Sequence, residues 1–307
     1  NIRNLSLEFY LTHGRKRTIA LTTNPNLEEI KYFLKNLLDA VKILKPSPDY
    51  TPLPHGPFNY SKHNNYDPNL EDSSLPIELA KECIDICVKK GAERTAGSLT
   101  SKSFRTYLIT SGGAEANDRR TEITLNVRTF VDSGASGHGV TCATKASDFD
   151  VSEASEMAVR YAIDSRDPSA FESGTYDVLL SPTVAADIIQ HVGGAASAFE
   201  VDNGFSFLTD KMGEQVANKA FTLRDSGLVD NGLSSSSFDT EGMSTQETNI
   251  IKDGILQGYL HNSTTAHKFS SESTGNAGII SPHPWNLIVE PGEHSPDEMI
   301  QEMKKGV

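Results

Sequence analysis

The nine histidines are the residues best suited to hold a metal ion. A zinc site on a helix needs two imidazoles on adjacent turns, because only that spacing brings both nitrogens to one ion. His261 and His267 are six residues apart, His283 and His294 are eleven apart, and His191 has no histidine partner at three to five residues. Spacing alone therefore indicates no zinc motif.

Two further groups of side chains have spacings that could support chemistry. Asp187 lies one helical turn before His191 and could hydrogen-bond the ring, which is the structural interpretation of a lone histidine. Cys83 and Cys87 are four residues apart on a predicted helix, where they could hold a metal, although two small thiols packed in a core is the simpler interpretation. No serine has a recognisable nucleophile context. No catalytic site follows from spacing.

The charge balance narrows the classes of partner. The 307 residues include 28 Lys and Arg against 41 Asp and Glu, a formal net charge of −13. A phosphate backbone is bound by clustered Lys and Arg, and no basic stripe runs along the sequence. We therefore expect no direct contact with nucleic acid, although a local basic patch is left open. No run approaches the roughly 20 apolar residues of a membrane span, so no membrane partner is expected. Three cysteines are consistent with a reducing cytoplasm, the predicted location.

The elements that would carry these residues begin with two strands and a helix. Strands are predicted over 5–12 and 16–22, around a turn at Gly14. The helix begins near Asn26, which has capping-box spacing with Glu29. Its apolar residues recur at helical spacing and form one broad face.

A proline-rich connection over 45–72 follows, either crossing the surface or forming a lid. Glycine-rich Ser133–Gly139 matches neither a phosphate loop nor a G-x-S-x-G elbow and is interpreted as a hairpin loop. The other elements of this half are a helix, two meander strands and a second helix: 76–90, 102–110, 122–128 and 151–164.

After Ser173-Gly174 the sequence becomes rich in Gly, Ser and Asn with short predicted strands, and this change places a domain boundary near residue 172. A short buried strand is predicted at Tyr176–Leu180, and Pro182 opens a helix that runs into Gly193-Gly194. Asp253-Gly254 is a two-residue hairpin signal. Short strands are predicted among loops rich in Gly, Ser and Asn: 221–224, 247–252, 255–260 and 287–290.

These elements predict an α+β fold. An N-terminal mixed α/β domain is expected over 1–172, followed by a β-rich, barrel- or sandwich-like C-terminal domain over 173–307. The sequence begins at Asn1 in a strand-like segment and ends one helix after Ser295. We expect truncation at both ends, an incomplete C-terminal domain, and association that covers the exposed edge.

Several ordered motifs resemble the TldD/PmbA family, and the match covers most of the chain. The motifs are L-I-T-S-G-G-A-E (108–115), E-S-G-T-Y-D-V-L-L-S-P (172–182), D-K-M-G-E-Q-V-A (210–217), F-D-T-E-G (238–242), I-K-D-G-I-L-Q-G-Y-L (251–260), S-T-G-N-A-G (273–278) and W-N-L-I-V-E-P-G (285–292). The family is known as modulators of DNA gyrase, and it resembles a metalloprotease system that acts on unfolded peptides in the cytoplasm. In its catalytic branch, H-E-x-x-x-H and a distant Cys complete a zinc site.

The resemblance places this chain in the sister PmbA/TldE-like branch, which lacks that motif and pairs with the catalytic subunit. When His191 takes the last position of H-E-x-x-x-H, Ala186 stands first and Asp187 replaces the Glu; when Gln190 stands first, Ala195 is last. One imidazole does not hold zinc against water and cellular competitors. The family's Cys ligand would fall beyond the end of this sequence. The resemblance thus implies no metal and no catalytic residue in this chain, with zinc in the catalytic partner.

The shared motifs supply candidate residues for a substrate channel. F-D-T-E-G and S-T-G-N-A-G are tight turns that need glycine, and the same exposed backbone could pair with an extended peptide; structure and peptide contact are left equally open. The candidates are His191, Asp239, Glu241, Gly242, Thr274, Gly275 and Asn276. The expected partners are a TldD-like subunit or a second copy, and unfolded peptide. A self-sufficient metallopeptidase homodimer and a non-proteolytic gyrase-modulating binding protein are the alternatives.

Overall fold

Two antiparallel strands and a helix form the first unit of the computed structural model, which describes residues 2–303 and 305–306 apart from the side chain of Ser133. Strands β1 (Ser6–His13) and β2 (Lys16–Thr23) pair around the turn, and helix α1 (Leu27–Ile43) follows. Asn26 and Glu29 exchange both hydrogen bonds of the predicted capping box. The sequence prediction for this unit is confirmed.

A three-stranded antiparallel sheet with helices on one face forms the second unit. Its elements are α2 (Leu75–Lys89), β3 (Arg94–Ile109), β4 (Glu115–Phe130), β5 (Ser136–Ala143) and α3 (Val151–Asp164), with the strands in the order β3-β4-β5. The alternation predicted for β4 is confirmed, because Ile123, Leu125 and Val127 are buried beneath the helices. Cys83 and Cys87 lie in the same core, as the packing interpretation predicts.

The sequence predicted that the glycine-rich run Ser133–Gly139 is a hairpin loop, but only its first part is a loop. Residues from 136 onward belong to β5, and the connection itself is a short 3₁₀ turn at Asp132–Gly134. A Cβ on Gly137 would lie 2.1 Å from the carbonyl oxygen of Ala158, and one on Gly139 would lie 2.0 Å from that of Ala154. These glycines are therefore required for the close packing of α3 on β5, a contact between elements that a local pattern does not reveal.

The connection over 45–72, hereafter the connector, contains one regular element, a 3₁₀ turn at Pro68–Glu71. It packs between the two halves of the chain. The Gly56 amide donates to the carbonyl oxygen of Gly112 at 3.0 Å. Fully buried Asn65 donates to the carbonyl oxygen of Gly232 at 2.9 Å and accepts from the Asn231 amide at 2.8 Å. The connector is therefore anchored to both halves.

The second half of the chain is built around an open four-stranded antiparallel sheet in the order β8-β7-β6-β9. Its elements, in chain order, are α4 (Pro182–Ala195), α5 (Ala198–Asp202), β6 (Leu223–Ser226), β7 (Glu247–Lys252), β8 (Ile255–Leu256), α6 (Ser263–Lys268), β9 (Asn286–Val289) and α7 (Pro296–Glu302). Asp253 and Gly254 both have positive φ, 51° and 77°, as the predicted hairpin requires.

The α+β class is confirmed, with two corrections of detail. The C-terminal strands do not close into a barrel within the described residues. The strand predicted at Tyr176–Leu180 is also wrong: Asp177 makes a single bridge to Gly306, and Val178 and Leu180 are exposed. An apolar run becomes a strand only where a neighbouring strand pairs with it along its length. The domain boundary near residue 172 and the truncation stay predictions. In the described part of the chain, no helix has the length and apolar character needed to cross a bilayer.

Candidate functional site

The F-D-T-E-G motif is a turn organised around one buried carboxylate. Asp239 is 1 % exposed. Its Oδ1 accepts the backbone N–H groups of Glu241 and Met243, both at 2.9 Å, and its Oδ2 accepts that of Ala277 at 3.0 Å. Burial raises the pKa of Asp239 to about 7, and the nearby Glu241 carboxylate acts in the same direction. Asp239 therefore joins the two family turns.

Glu241 faces a different element. Its Oε2 accepts the backbone N–H of Ser263 at 2.9 Å and the Ser263 hydroxyl at 2.6 Å, at the first turn of α6. Burial raises the pKa of the Glu241 carboxyl, while hydrogen bonds from Ser263 and the positive charge of Arg17 on β2 lower it. The carboxylate thus fixes the start of α6 and lies in the electrostatic field of the N-terminal hairpin.

The connector clamps the end of the turn. The Tyr60 hydroxyl donates to the carbonyl oxygen of Gly242 at 2.9 Å, and the Tyr60 ring lies edge-on to Phe238 at 5.7 Å. The Ser244 hydroxyl donates to the carbonyl oxygen of Asn59 at 2.5 Å. Gly242 has φ +87°, and a Cβ there would lie 2.6 Å from Cβ of Ala114. The turn is therefore confined on two sides and requires glycine.

The S-T-G-N-A-G motif is a second loop held from within the molecule. The Thr274 hydroxyl accepts the backbone N–H of His261 at 2.8 Å. Gly275 has φ +67°, and a Cβ there would lie 2.3 Å from the carbonyl oxygen of Ser244. Asn276 is fully buried, and its Nδ2 donates to the carbonyl oxygen of His283 at 3.0 Å.

Asp225, which sequence reasoning missed, is the acceptor beneath this loop. It lies on β6 with no exposed surface, accepting the Asn276 amide at 2.6 Å and the Trp285 backbone N–H at 2.6 Å. Burial raises its pKa to about 6. The Trp285 indole N–H in turn donates to the carbonyl oxygen of Gly275 at 2.8 Å. Alternation with Leu223 along β6 would have placed this acid on a buried face, but the predicted strand, 221–224, ended one residue before it.

A second acid outside the family motifs also links the two halves. Asp118 on β4 lies 3.1 Å from Nε2 of His63 in the connector and accepts the backbone N–H of Ser237 at 3.0 Å. The side chain of His63 is almost fully buried. Residues so distant in sequence have no spacing signal, so only the structure identifies this pair.

Six of the seven candidate residues meet in one network, and His191 does not. The six belong to the two hydrogen-bonded loops described above. His191 is exposed on α4, and its side chain forms no hydrogen bond or ion pair with the described residues, so the contact suggested for Asp187 is not formed. Across residues 2–303 and 305–306, no group of three or more His, Cys, Asp or Glu side chains could hold a metal ion. The assembled residues hold these two turns in place.

Two family models match the chain. The PmbA/TldA metallopeptidase C-terminal domain matches residues 173–307, and the central domain of the same family matches residues 66–166. Together these ranges cover more than half of the chain, which therefore belongs to the PmbA/TldD family of metallopeptidases.

The relatives are consistent with this membership. An uncharacterized protein of Methanocaldococcus jannaschii is 30% identical over 70% of this chain and 52% of its own length. The metalloprotease PmbA of Escherichia coli O157:H7 is 35% identical over 42% of this chain and 28% of its own length. The chain thus spans about half or less of these relatives.

Solved structures share the fold along nearly the whole chain. A proposed modulator of a DNA gyrase from Thermotoga maritima superposes with a TM-score of 0.87 at 25% identity, over 98% of this chain and 70% of that one. TldE from Thermococcus kodakarensis superposes with a TM-score of 0.85 at 18% identity, over 98% of this chain and 71% of that one, a likeness of fold alone.

Replacing Gly275 with Ala is expected to lower the free energy of unfolding by about 3 kcal/mol, because the methyl group meets a carbonyl oxygen in a left-handed backbone conformation. Gly292→Ala is the matched control: a Cβ there meets nothing within 4 Å. Urea unfolding of both variants measures the difference. Equal stabilities would contradict the close approach of Gly275 to Ser244.

Proposed function

We propose that this chain acts as the PmbA/TldE-like subunit of a TldD-type metallopeptidase that degrades unfolded peptides in the cytoplasm, without carrying the catalytic zinc itself. The observation that carries the proposal is the composition of α4. This helix follows the S-P end of the first C-terminal family motif and offers one imidazole, His191, exposed and without a partner in the described structure. One imidazole is too few for a zinc site that keeps a position open for water.

The network of buried acids supports a structural role for the shared motifs. The carboxylate oxygens of three buried acids accept hydrogen bonds from backbone and side-chain donors of neighbouring loops: Asp225, Asp239 and Glu241. Side chains that are hydrogen-bonded in this way fix the conformation of the loops that, in this proposal, line the substrate channel. In the proposed pair, the TldD-like subunit holds zinc and activates water. This chain narrows access so that extended peptides enter and folded proteins are excluded.

Co-expression with the TldD-like protein of the same organism tests this proposal. The two chains should co-elute in size exclusion, through an interface that is apolar at its centre. The pair should cleave an unfolded substrate in a chelator-sensitive way, whereas this chain alone should cleave nothing. After dialysis, the isolated chain should contain far less than one zinc per molecule.

The His191→Ala variant separates the alternatives. Activity of the pair should stay within about fivefold, since the residue lies outside the metal shell in this proposal. A matched change of the exposed His13→Ala on β1 controls for loss of a surface imidazole. Stoichiometric zinc that disappears with His191→Ala would instead indicate a self-sufficient metallopeptidase. Capture of gyrase without any TldD-like partner or cleavage would indicate the non-proteolytic binding protein.

A further inference from the structure

Among the described residues, helices cover one face of the β3-β4-β5 sheet and leave the other without a helix. α2 and α3 pack on the side where Ile123, Leu125 and Val127 are buried. Because side chains alternate along a strand, the residues between these point to the opposite side, here called the outer face. Ser98, Thr100 and their cross-strand neighbours on this face are exposed or half-buried.

The outer face is basic in an acidic protein. It carries Arg94 and Lys102 from β3, Arg120 and Arg128 from β4, and two acids of β4, Asp118 and Glu122. Four positive side chains and two negative ones leave a formal charge of +2, against −13 for the whole chain. Glu122 pairs with Lys102 at 2.7 Å. The cations come from two strands, so no stripe is visible in the linear sequence.

Two of the cations lie over aromatic rings. The guanidinium carbon of Arg94 is 4.0 Å from the centre of the Phe130 ring, and that of Arg120 is 4.6 Å from the centre of the Phe104 ring. A guanidinium over a ring can offer its other side for stacking and its N–H groups to an anion. One N–H of Arg120 donates to the carbonyl oxygen of Leu233 at 3.0 Å, so its remaining N–H groups are the ones that could reach a ligand.

The centre of the outer face is polar. His138 on β5 lies directly opposite Arg128, and its Nε2 is 3.0 Å from Oδ1 of Asn126. Between the cationic ends the side chains are short, with half-buried Val140 as the apolar contribution of β5. From Arg120 to Phe130 the strand extends roughly 33 Å. The surface is thus long, flat and lined with hydrogen-bonding groups.

We propose that the outer face binds single-stranded nucleic acid. The centre lacks the apolar patch that a protein partner would bury. Cations beside planar groups are what a single strand requires, since its phosphates need charge and its bases need flat surfaces. A second copy of this chain is a poor partner for the outer face. An acidic surface of that copy would have to dock on this basic face, and such a contact between two different surfaces does not close into a symmetric dimer.

Fluorescence anisotropy with a labelled oligo(dT) of about 12 nucleotides tests the proposal on the full chain. Neutralising three phosphates predicts about a 20-fold loss of affinity between 50 and 200 mM salt. Arg94→Gln/Arg128→Gln should weaken binding at low salt by about tenfold and flatten this salt dependence. The control Lys35→Gln/Lys81→Gln removes the same charge from exposed positions on α1 and α2 and should change affinity less than about twofold.

Several outcomes overturn the proposal. Absence of binding at 50 mM salt would do so, as would equal losses in the two double variants, because these would show a diffuse effect of net charge. Displacement of the oligonucleotide by an equal concentration of oligoglutamate would assign the face to acidic polypeptide instead. Thermal unfolding of each variant checks that the fold is kept. None of these results depends on peptidase activity, so the proposed function is tested separately.

Discussion

Replacing Asp239 with Ala should lower the free energy of unfolding by about 4 kcal/mol, a large share of the 5–15 kcal/mol typical of a domain. The substitution leaves the backbone N–H groups of Glu241, Met243 and Ala277 without the acceptor they use inside the molecule. Removing a buried acid recovers part of that loss, because burial disfavours the charged form of Asp239. Urea unfolding at pH 7 measures the result.

Two further variants sharpen the prediction. In Asp239→Asn, the amide oxygen can still accept the N–H groups of Glu241 and Met243, but the amide nitrogen faces the Ala277 N–H, so we expect an intermediate loss of about 2 kcal/mol. Asp230→Ala removes an exposed carboxylate from the preceding loop and should stay within about 0.5 kcal/mol of the parent. A loss below 1 kcal/mol for Asp239→Ala would show that water replaces the buried acceptor, contrary to our interpretation.

The second prediction concerns His261: replacing it should lower the free energy of unfolding less in acid than at neutral pH. The ring is buried against Phe269 at 5.5 Å between centres, and its Nδ1 lies 3.2 Å from the Thr265 hydroxyl. Burial lowers the pKa of His261 to about 4, from an ordinary value of 6.5. Between these values the unfolded chain binds a proton that the folded protein excludes, so this histidine costs stability as the pH falls.

The His261→Gln variant has no imidazole at this position and so does not lose stability in this way as the pH falls. Relative to the parent, the variant should therefore gain about 3 kcal/mol between pH 7.5 and pH 4. Urea unfolding of both proteins at a series of pH values gives this difference directly. His13→Gln, an exposed histidine on β1, is the control for a general effect of removing an imidazole. A pH-independent difference for His261→Gln would mean that the buried ring is reached by solvent protons.

In the parent protein, the pH dependence of stability that comes from His261 should be partly cancelled by the buried acids. Asp225 and Asp239 have pKa values raised to about 6 and about 7, so the folded protein holds protons that the unfolded chain releases. Their contribution to stability is present below the ordinary carboxyl pKa and is lost as the pH rises through 6 and 7. This trend opposes that of His261 and of His283, whose pKa burial also lowers. Measurements on variants are therefore more informative than the parent profile.

The cost of these buried groups is consistent with their position. They lie where two family turns, the connector and the open sheet meet, and each turn is held by contacts distant in sequence. A buried acid with several donors defines one geometry of the loops around it, at an expense in desolvation. In the proposed subunit, such a defined wall would set the width of the channel beside the partner's zinc.

Local interactions made much of the fold predictable from the sequence. The capping box at Asn26 and the hairpin turn at Asp253-Gly254 are formed by residues within about one turn of each other, so their patterns can be read directly. The amphipathic α1 and the alternation in β4 likewise follow from the period of each element. The family motifs extended this prediction to the class of protein.

Tertiary contacts decided the rest. Asn276 binds Asp225, 51 residues away, and His63 lies against Asp118 on another element; no spacing rule connects such pairs. The same reason explains why Tyr176–Leu180 is not a strand: among the described residues, its strand-like sequence forms only one bridge, from Asp177 to Gly306. It also explains why Gly137 and Gly139 lie in β5: the nearby backbone of α3 leaves no room for a side chain, and that proximity exists only once the chain has folded.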